Sequence, residues 1–132
     1  MIKIEDINKK NIQVDSIVDS NMHTLCNRIN KAIGMMLLID PELIFIITSG
    51  LRTPEQQSNL IKAGKSKATK SKHLIGAAID IYDPDGKIKS ILLSHPEILV
   101  ACELWCEHFD STPDWWHAQI IPPHSGNRWF YP

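Results

Sequence analysis

The sequence lacks any run of apolar residues long enough to cross a membrane. A spanning helix needs about 20 such residues, whereas the longest apolar runs, near Ile33–Ile39 and Leu43–Ile47, have the length of core elements. The first residues also lack the apolar centre of a secretory leader. The sequence therefore predicts a protein that is cytoplasmic as synthesised and has no membrane span.

The sequence also has no surplus of charge of either sign. Its 14 lysine and arginine residues stand against 15 acidic residues, which gives a formal net charge of -1. Proteins that bind nucleic acid usually carry a basic excess that neutralises phosphates, so nucleic acid is not expected as a partner. Lysines do gather between Lys62 and Lys72, and we interpret this stretch as a solvated surface loop.

Cysteine is scarce, and two familiar hydrolase motifs are missing. The three cysteines form an odd set without a secretory leader, which predicts reduced thiols. Cys102 and Cys106, four residues apart on a predicted helix, could bind a metal, but such thiols are more often small core residues. The absence of H-E-x-x-H and G-x-S-x-G argues against thermolysin-like and serine-hydrolase chemistry.

The length and composition of the chain predict one globular domain over residues 1–132, with residues 1–14 as an arm or a short strand. Apolar residues recur every three or four positions from Asp15 onward and predict a long helix that ends at Asp40-Pro41. The other predicted elements are strands at Leu43–Thr48, Ala77–Asp83 and Trp116–Ile121, and helices at Pro54–Ala63 and at Lys87–Glu107 with a break at Ser94–Pro96. This order predicts a monomeric α+β protein with a small, mainly antiparallel sheet packed against helices.

One carboxylate and two imidazoles stand out within this pattern. Asp80 lies in the middle of an apolar strand, where a carboxylate is costly unless it is paired or bound to a metal. If the Asp80 and His117 strands are antiparallel neighbours, the two side chains share one face of the sheet. Gly76 allows a tight bend that could bring His73 beside them. Two imidazoles and one carboxylate predict one zinc ion, Zn²⁺, with its fourth position open to water.

Asp114 is predicted to act on that water. A straight strand would place it on the opposite face from His117, but Pro113 indicates a turn from which the carboxylate could reach the site. Taken singly, these residues have ordinary interpretations: His73 as a loop histidine, Asp80 as the partner of a nearby lysine, His117 as a core histidine. The metal hypothesis is preferred because one site explains them together.

Three segments resemble the zinc D-Ala-D-Ala carboxypeptidases and L-alanyl-D-glutamate endopeptidases, a group with the Hedgehog/DD-peptidase fold. The first segment has the pattern S-x-H-x-x-G-x-A-x-D and runs from Ser71 to Asp80. The second is Asp114-Trp115-Trp116-His117, which matches an acidic residue three positions before a histidine. The third is Ser49-Gly50-Leu51-Arg52-Thr53, in which Leu51 replaces the usual aromatic residue.

The resemblance implies a role for each matched residue. His73, Asp80 and His117 would be the zinc ligands, and Asp114 the general base that later donates a proton. Arg52 would stabilise the developing oxyanion or hold the substrate carbonyl. Further substrate contacts are expected from the following residues: Ser71, Gln57 and Trp115.

The resemblance also implies the function. We expect a peptidase that cuts the stem peptides of peptidoglycan, most simply an L-alanyl-D-glutamate endopeptidase of the endolysin kind that reaches the cell wall after release. Two alternatives remain open at this point: a D-alanyl-D-alanine carboxypeptidase, and a zinc-binding cell-wall module without catalysis.

Overall fold

A computed structural model describes residues 1–68 and 70–132 of the chain. The helices are α1 (Ile4–Ile7), α2 (Ser16–Ile39), α3 (Pro54–Lys62), α4 (Lys87–Ser94) and α5 (Glu97–Cys102), with a 3-10 turn at Lys72–Ile75. The strands are β1 (Ile47–Ser49), β2 (Ala78–Tyr82), β3 (Trp105–Glu107), β4 (Trp115–Gln119) and β5 (Trp129–Phe130). Thr69, within the predicted lysine-rich loop, lies outside the described residues.

The long helix α2 begins at a side-chain cap and contributes a buried face to the core. The Asp15 carboxylate accepts a hydrogen bond from the Val18 amide at 2.8 Å, which satisfies one of the free amides of the first turn. The helix ends at Ile39, directly before Asp40-Pro41, as predicted. Its buried face packs into the core through residues spaced three or four apart: Met22, Leu25, Cys26, Ile29, Ala32, Ile33 and Met36.

The sheet has five strands in the order β1-β2-β4-β3-β5, and every pairing is antiparallel except that of β3 with β5. The predicted α+β class with a mainly antiparallel sheet is therefore confirmed. Strand β2 lies between β1 and β4, and Ile79 and Ile81 are both completely buried on its core side. Asp80 lies between them and faces the other side of the sheet.

Two predicted boundaries were wrong. Residues 43–46 are not in a strand; Ile44 and Ile46 remain exposed. Residues Trp105–Glu107 form strand β3 rather than the end of a helix. Glu103 explains this change, because its left-handed backbone (φ 52°) ends α5 at Cys102, five residues before the predicted end at Glu107.

The first residues form the short helix α1 rather than an extended arm, and they pack against the turn after β1. The Leu51 amide donates a hydrogen bond to the Ile7 carbonyl at 2.9 Å. A side chain at Gly50 would place its Cβ 2.3 Å from that carbonyl oxygen, so only glycine permits this approach. The contact fixes the segment that carries Arg52.

Within the described residues, no helix is long and apolar enough to cross a membrane.

Candidate metal centre

The local backbone brings His73 to the sheet. The Ser71 hydroxyl accepts a hydrogen bond from the His73 amide at 3.3 Å and begins the 3-10 turn. Gly76 ends the turn in the left-handed region (φ 69°), and a Cβ there would lie 2.7 Å from Met22. The bend predicted at Gly76 is present, and it turns His73 back toward strand β2.

Asp80 and His117 meet through strand pairing. They are register partners across the antiparallel β2–β4 pair, and Asp80 Oδ1 lies 2.9 Å from His117 Nδ1. The same oxygen lies 3.3 Å from His73 Nε2. All three side chains are buried, and one ligand atom from each falls within 4.8 Å of the others. The structure thus brings together the three residues that the sequence singled out as metal ligands.

Hydrogen bonds fix which nitrogen of each imidazole faces this centre. His73 Nδ1 lies 2.8 Å from the Gly50 carbonyl, which can only accept, so Nδ1 carries the proton and Nε2 presents its lone pair. The Gln119 amide group donates to the Ile121 carbonyl at 2.7 Å. Its oxygen therefore faces His117 Nε2 at 2.9 Å, which places a proton on Nε2 and leaves Nδ1, beside Asp80, as the nitrogen that can bind a metal once its own proton has left.

Once His117 has lost that proton, three electron-pair donors converge on one point, and such a group is stabilised by a cation. Imidazole nitrogens backed by a carbonyl or amide acceptor are the usual arrangement of metal-binding histidines. Two nitrogens and one carboxylate oxygen match the three protein ligands of catalytic metal sites, which keep one position open. The donor set of these three residues therefore fits a metal ion.

The charges in the centre act on one another. Burial alone would raise the pKa of Asp80, but the two histidines hold it well below its usual range. Burial alone would lower the pKa of His117, but its hydrogen bond to Asp80, with the charges of Asp80 and Glu107, raises it to about 8. In the metal-free protein, His117 is therefore largely protonated at neutral pH.

This raised pKa predicts that metal binding depends on pH. A metal needs the neutral imidazole, so protons compete with it below the His117 pKa of about 8. We expect the zinc affinity to fall about tenfold for each pH unit below that value, since one proton must leave. Titration calorimetry in two buffers of different ionisation enthalpy would measure the released proton. An affinity that is constant from about pH 6 to pH 8 would exclude this competition.

A cleft of about 310 Å³ opens over the centre. Its walls include Trp115 and Glu107, and the Glu107 carboxylate lies 3.8 Å from His117 Nε2. Phe130 and Tyr131 also line the cleft, together with the positively charged residues Lys65, Lys70 and Lys72.

A family model for phage L-alanyl-D-glutamate peptidases matches residues 11–93, which is more than half of the chain. The chain belongs to this family. The prediction of a peptidoglycan peptidase, a hydrolase, is thereby confirmed. The matched segment contains His73 and Asp80 but ends before His117, so the convergence of the third ligand rests on the geometry described above.

A solved structure has a similar fold. The peptidase is similar to the L-Ala D-Glu endopeptidase ChiX of Serratia marcescens, with a TM-score of 0.54 and 19% sequence identity. The similarity covers 86% of this chain and 93% of ChiX. At this identity the likeness concerns the fold, and it supports the predicted architecture. No curated protein sequence matches the peptidase significantly.

Arg52 lies beside the metal centre and is held from three sides. Its Nη2 lies 3.2 Å from Asp80 Oδ2, and its Nε donates to the Ser49 hydroxyl at 2.9 Å. Its Nη1 donates to the Gln57 side-chain oxygen at 3.0 Å. A guanidinium has five N–H donors, so two remain without a partner among the described residues. The peptidase therefore presents a fixed positive charge with spare donors at the edge of its cleft.

Gln57 does not line the cleft, contrary to expectation. Its side chain is buried under Arg52, and its amide nitrogen donates to the Ser66 hydroxyl at 2.9 Å and to the Ala68 carbonyl at 2.6 Å. It holds the guanidinium and the following loop in place. Ser71 and Trp115, by contrast, do line the cleft.

Asp114 lies at the edge of the site rather than inside it. It is exposed, in the turn directly before β4, and its backbone carbonyl accepts from the Asp83 amide at 2.8 Å. Among the described residues, the carboxylates that line the cleft are Asp80 and Glu107. Its assignment as the general base therefore stays a prediction, and Glu107 is the competing carboxylate.

The sequence reasoning missed Gln119 and Glu107. Gln119 had a detectable signal, since it shares the strand face of His117 two residues away. Glu107 had none, because its segment was predicted to be helical and β3 was not foreseen.

The Gln119 hydrogen bond gives a direct test of the tautomer argument. We expect Gln119→Leu to bind zinc about 10- to 100-fold more weakly, the range seen when partners of metal-binding histidines are removed. Gln119→Glu, which keeps an acceptor for His117 Nε2, should retain more of the affinity. Competition against a fluorescent chelator would measure both variants. Equal affinity in Gln119→Leu and the unmodified chain would show that this contact does not orient His117.

Proposed function

We propose that this peptidase is a zinc-dependent endopeptidase that hydrolyses the amide bond between L-alanine and D-glutamate in peptidoglycan stem peptides. The observation that carries the proposal is the convergence of His73 Nε2, Asp80 Oδ1 and His117 Nδ1 within 4.8 Å, in a chain of the L-alanyl-D-glutamate peptidase family. Two imidazoles and a carboxylate suit zinc among the common biological metals. Membership in a phage family supports an endolysin-like protein that acts on the wall after release.

The residues of the cleft have separate roles in the hydrolysis of the amide bond. Zinc, when held by the three ligands, supplies a Lewis acid that polarises the scissile carbonyl and lowers the pKa of water. The free donors of Arg52 bind the carbonyl oxygen as negative charge develops on it. Trp115 and Ser71, on the cleft walls, hold the peptide on either side of the reacting bond.

Proton transfer requires one further carboxylate. We assign Asp114 to this role, as the residue that takes a proton from the attacking water and returns it to the leaving amine. Its support is its place in the exposed turn directly before strand β4, three residues before His117. An exposed carboxylate at the start of the strand that carries His117 can turn toward the cleft when substrate and metal are bound.

The test is the identity of the bond that is cut. The zinc-loaded protein would be incubated with purified cell-wall sacculi, and the released termini identified by mass spectrometry. We expect new amino-terminal D-glutamate. Released D-alanine would instead identify a carboxypeptidase, and intact sacculi with fully loaded protein would identify a binding module; either result overturns the proposed function.

A further inference from the structure

A second concavity, of about 500 Å³, lies beside the metal cleft between α1, the turn after β1, and α3. Its walls contain the apolar side chains of Ile7, Leu51 and Leu60. Arg52 and Lys65 line both this concavity and the metal cleft. The two concavities therefore adjoin at Arg52 and Lys65.

The charges around this concavity are all of one sign. Its charged lining residues are Lys9, Lys10, Arg52 and Lys65, and none of the described residues that line it is acidic. The whole chain has a net charge of -1, so the cationic lining is a local feature. Lys9 is held in position because its ammonium group donates to the Ile47 carbonyl at 2.8 Å. Lys10 and Lys65 are exposed.

The two sides of the scissile bond in the proposed substrate differ in charge. On the acyl side of the scissile bond, L-alanine contributes only a methyl group. On the amine side, D-glutamate has two carboxyl groups, and continuation of the peptide uses one of them. At least one carboxylate therefore remains free on the amine side, unless it is amidated. A cationic concavity favours this side by charge, and its apolar walls suit the aliphatic side chain.

We propose that the concavity is a subsite for the D-glutamate side of the stem peptide, in which Lys10 and Lys65 bind its free carboxylate. This inference rests on the proposed function and specifies the direction in which the substrate lies. The peptide runs from the metal centre across Arg52 into the concavity, with the acyl side at the Trp115 wall. The subsite makes the enzyme selective for stems with a free carboxylate over stems with a carboxamide at that position.

The experiment compares two synthetic stem peptides that differ only in this group, one with the free carboxylate and one with the carboxamide. The ratio of their kcat/KM values is measured for the zinc-loaded protein and for Lys10→Gln and Lys65→Gln. We expect the unmodified chain to prefer the carboxylate, and each variant to lower that ratio about fivefold, the size of one exposed ion pair. Lys62→Gln, at the end of α3 but outside both cavities, is the matched control and should keep the ratio.

Separate results distinguish the two proposals. Cleavage of both peptides with equal kcat/KM, or a ratio that Lys10→Gln and Lys65→Gln leave unchanged, would overturn the subsite while the proposed function stands. Failure to cut either peptide would count against the proposed function. In that case a D-glutamyl peptide with a free amine, added to isotope-labelled protein, still tests the subsite by NMR. Shifts at the Lys10 and Leu60 amides that the carboxamide peptide does not cause support it, and their absence overturns it.

Discussion

Replacing Asp80 by asparagine is expected to lower the zinc affinity about 10²- to 10³-fold, since structural zinc sites yield roughly 10–16 kcal/mol from four protein ligands, or about 2.5–4 kcal/mol for each. Asp80 is the charged donor of the three, and its Oδ1 faces both imidazoles. Asparagine keeps the shape but removes the charge, and its amide nitrogen cannot bind the metal. Hydrolysis of sacculi should fall with the zinc content.

The measurement combines zinc content by mass spectrometry, affinity by chelator competition, and peptidase activity. Asp85→Asn is the matched control, because Asp85 is exposed in the turn after β2 and lies outside the metal cleft. It should leave zinc content and activity unchanged. Circular dichroism would show that Asp80→Asn remains folded. Unaltered zinc affinity in the folded Asp80→Asn protein would place the metal somewhere else.

Asp114→Asn is expected to lower kcat by about 10³-fold, within the range attributed to general acid–base catalysis, and to retain one zinc. The reason is that Asp114 is not a ligand, so its loss removes proton transfer and leaves the metal centre intact. Retention of zinc separates this variant from Asp80→Asn, in which both properties fall together.

Glu107→Gln is the decisive comparison for this assignment. Glu107 lines the cleft and lies 3.8 Å from His117 Nε2, whereas Asp114 is exposed in the turn before β4. We expect Glu107→Gln to affect activity less than Asp114→Asn does. If Asp114→Asn stays active and Glu107→Gln does not, the general base is Glu107.

The convergence of His73, Asp80 and His117 was predictable from the sequence, because a buried carboxylate carries a large desolvation cost unless it has a partner. A carboxylate between Ile79 and Ile81 requires a partner, and the period of a strand fixes its face relative to His117. The glycine at position 76 then supplied the bend for His73. Local pattern and chemistry were enough to bring these residues together, and the long helix α2 followed from its apolar spacing and its Asp15 cap for the same reason.

The features that the sequence did not predict depend on contacts between residues that are far apart along the chain. Strand β3 is three residues long and exists because it pairs with β4 and β5, and no local pattern encodes that pairing. Gln57 lies under Arg52 because the loop after α3 folds back over it, which periodicity does not reveal. The position of Glu107 in the cleft follows from β3 and was hidden with it.

The central claim is that His73, Asp80 and His117 hold one zinc ion and leave one position open. The most direct measurement is a crystal structure of the zinc-loaded protein with data collected on both sides of the zinc absorption edge. We predict one anomalous peak, about 2.0–2.2 Å from His73 Nε2, Asp80 Oδ1 and His117 Nδ1, with no fourth protein ligand. A peak at another place, or a fourth protein side chain bound to the metal, would contradict the claim.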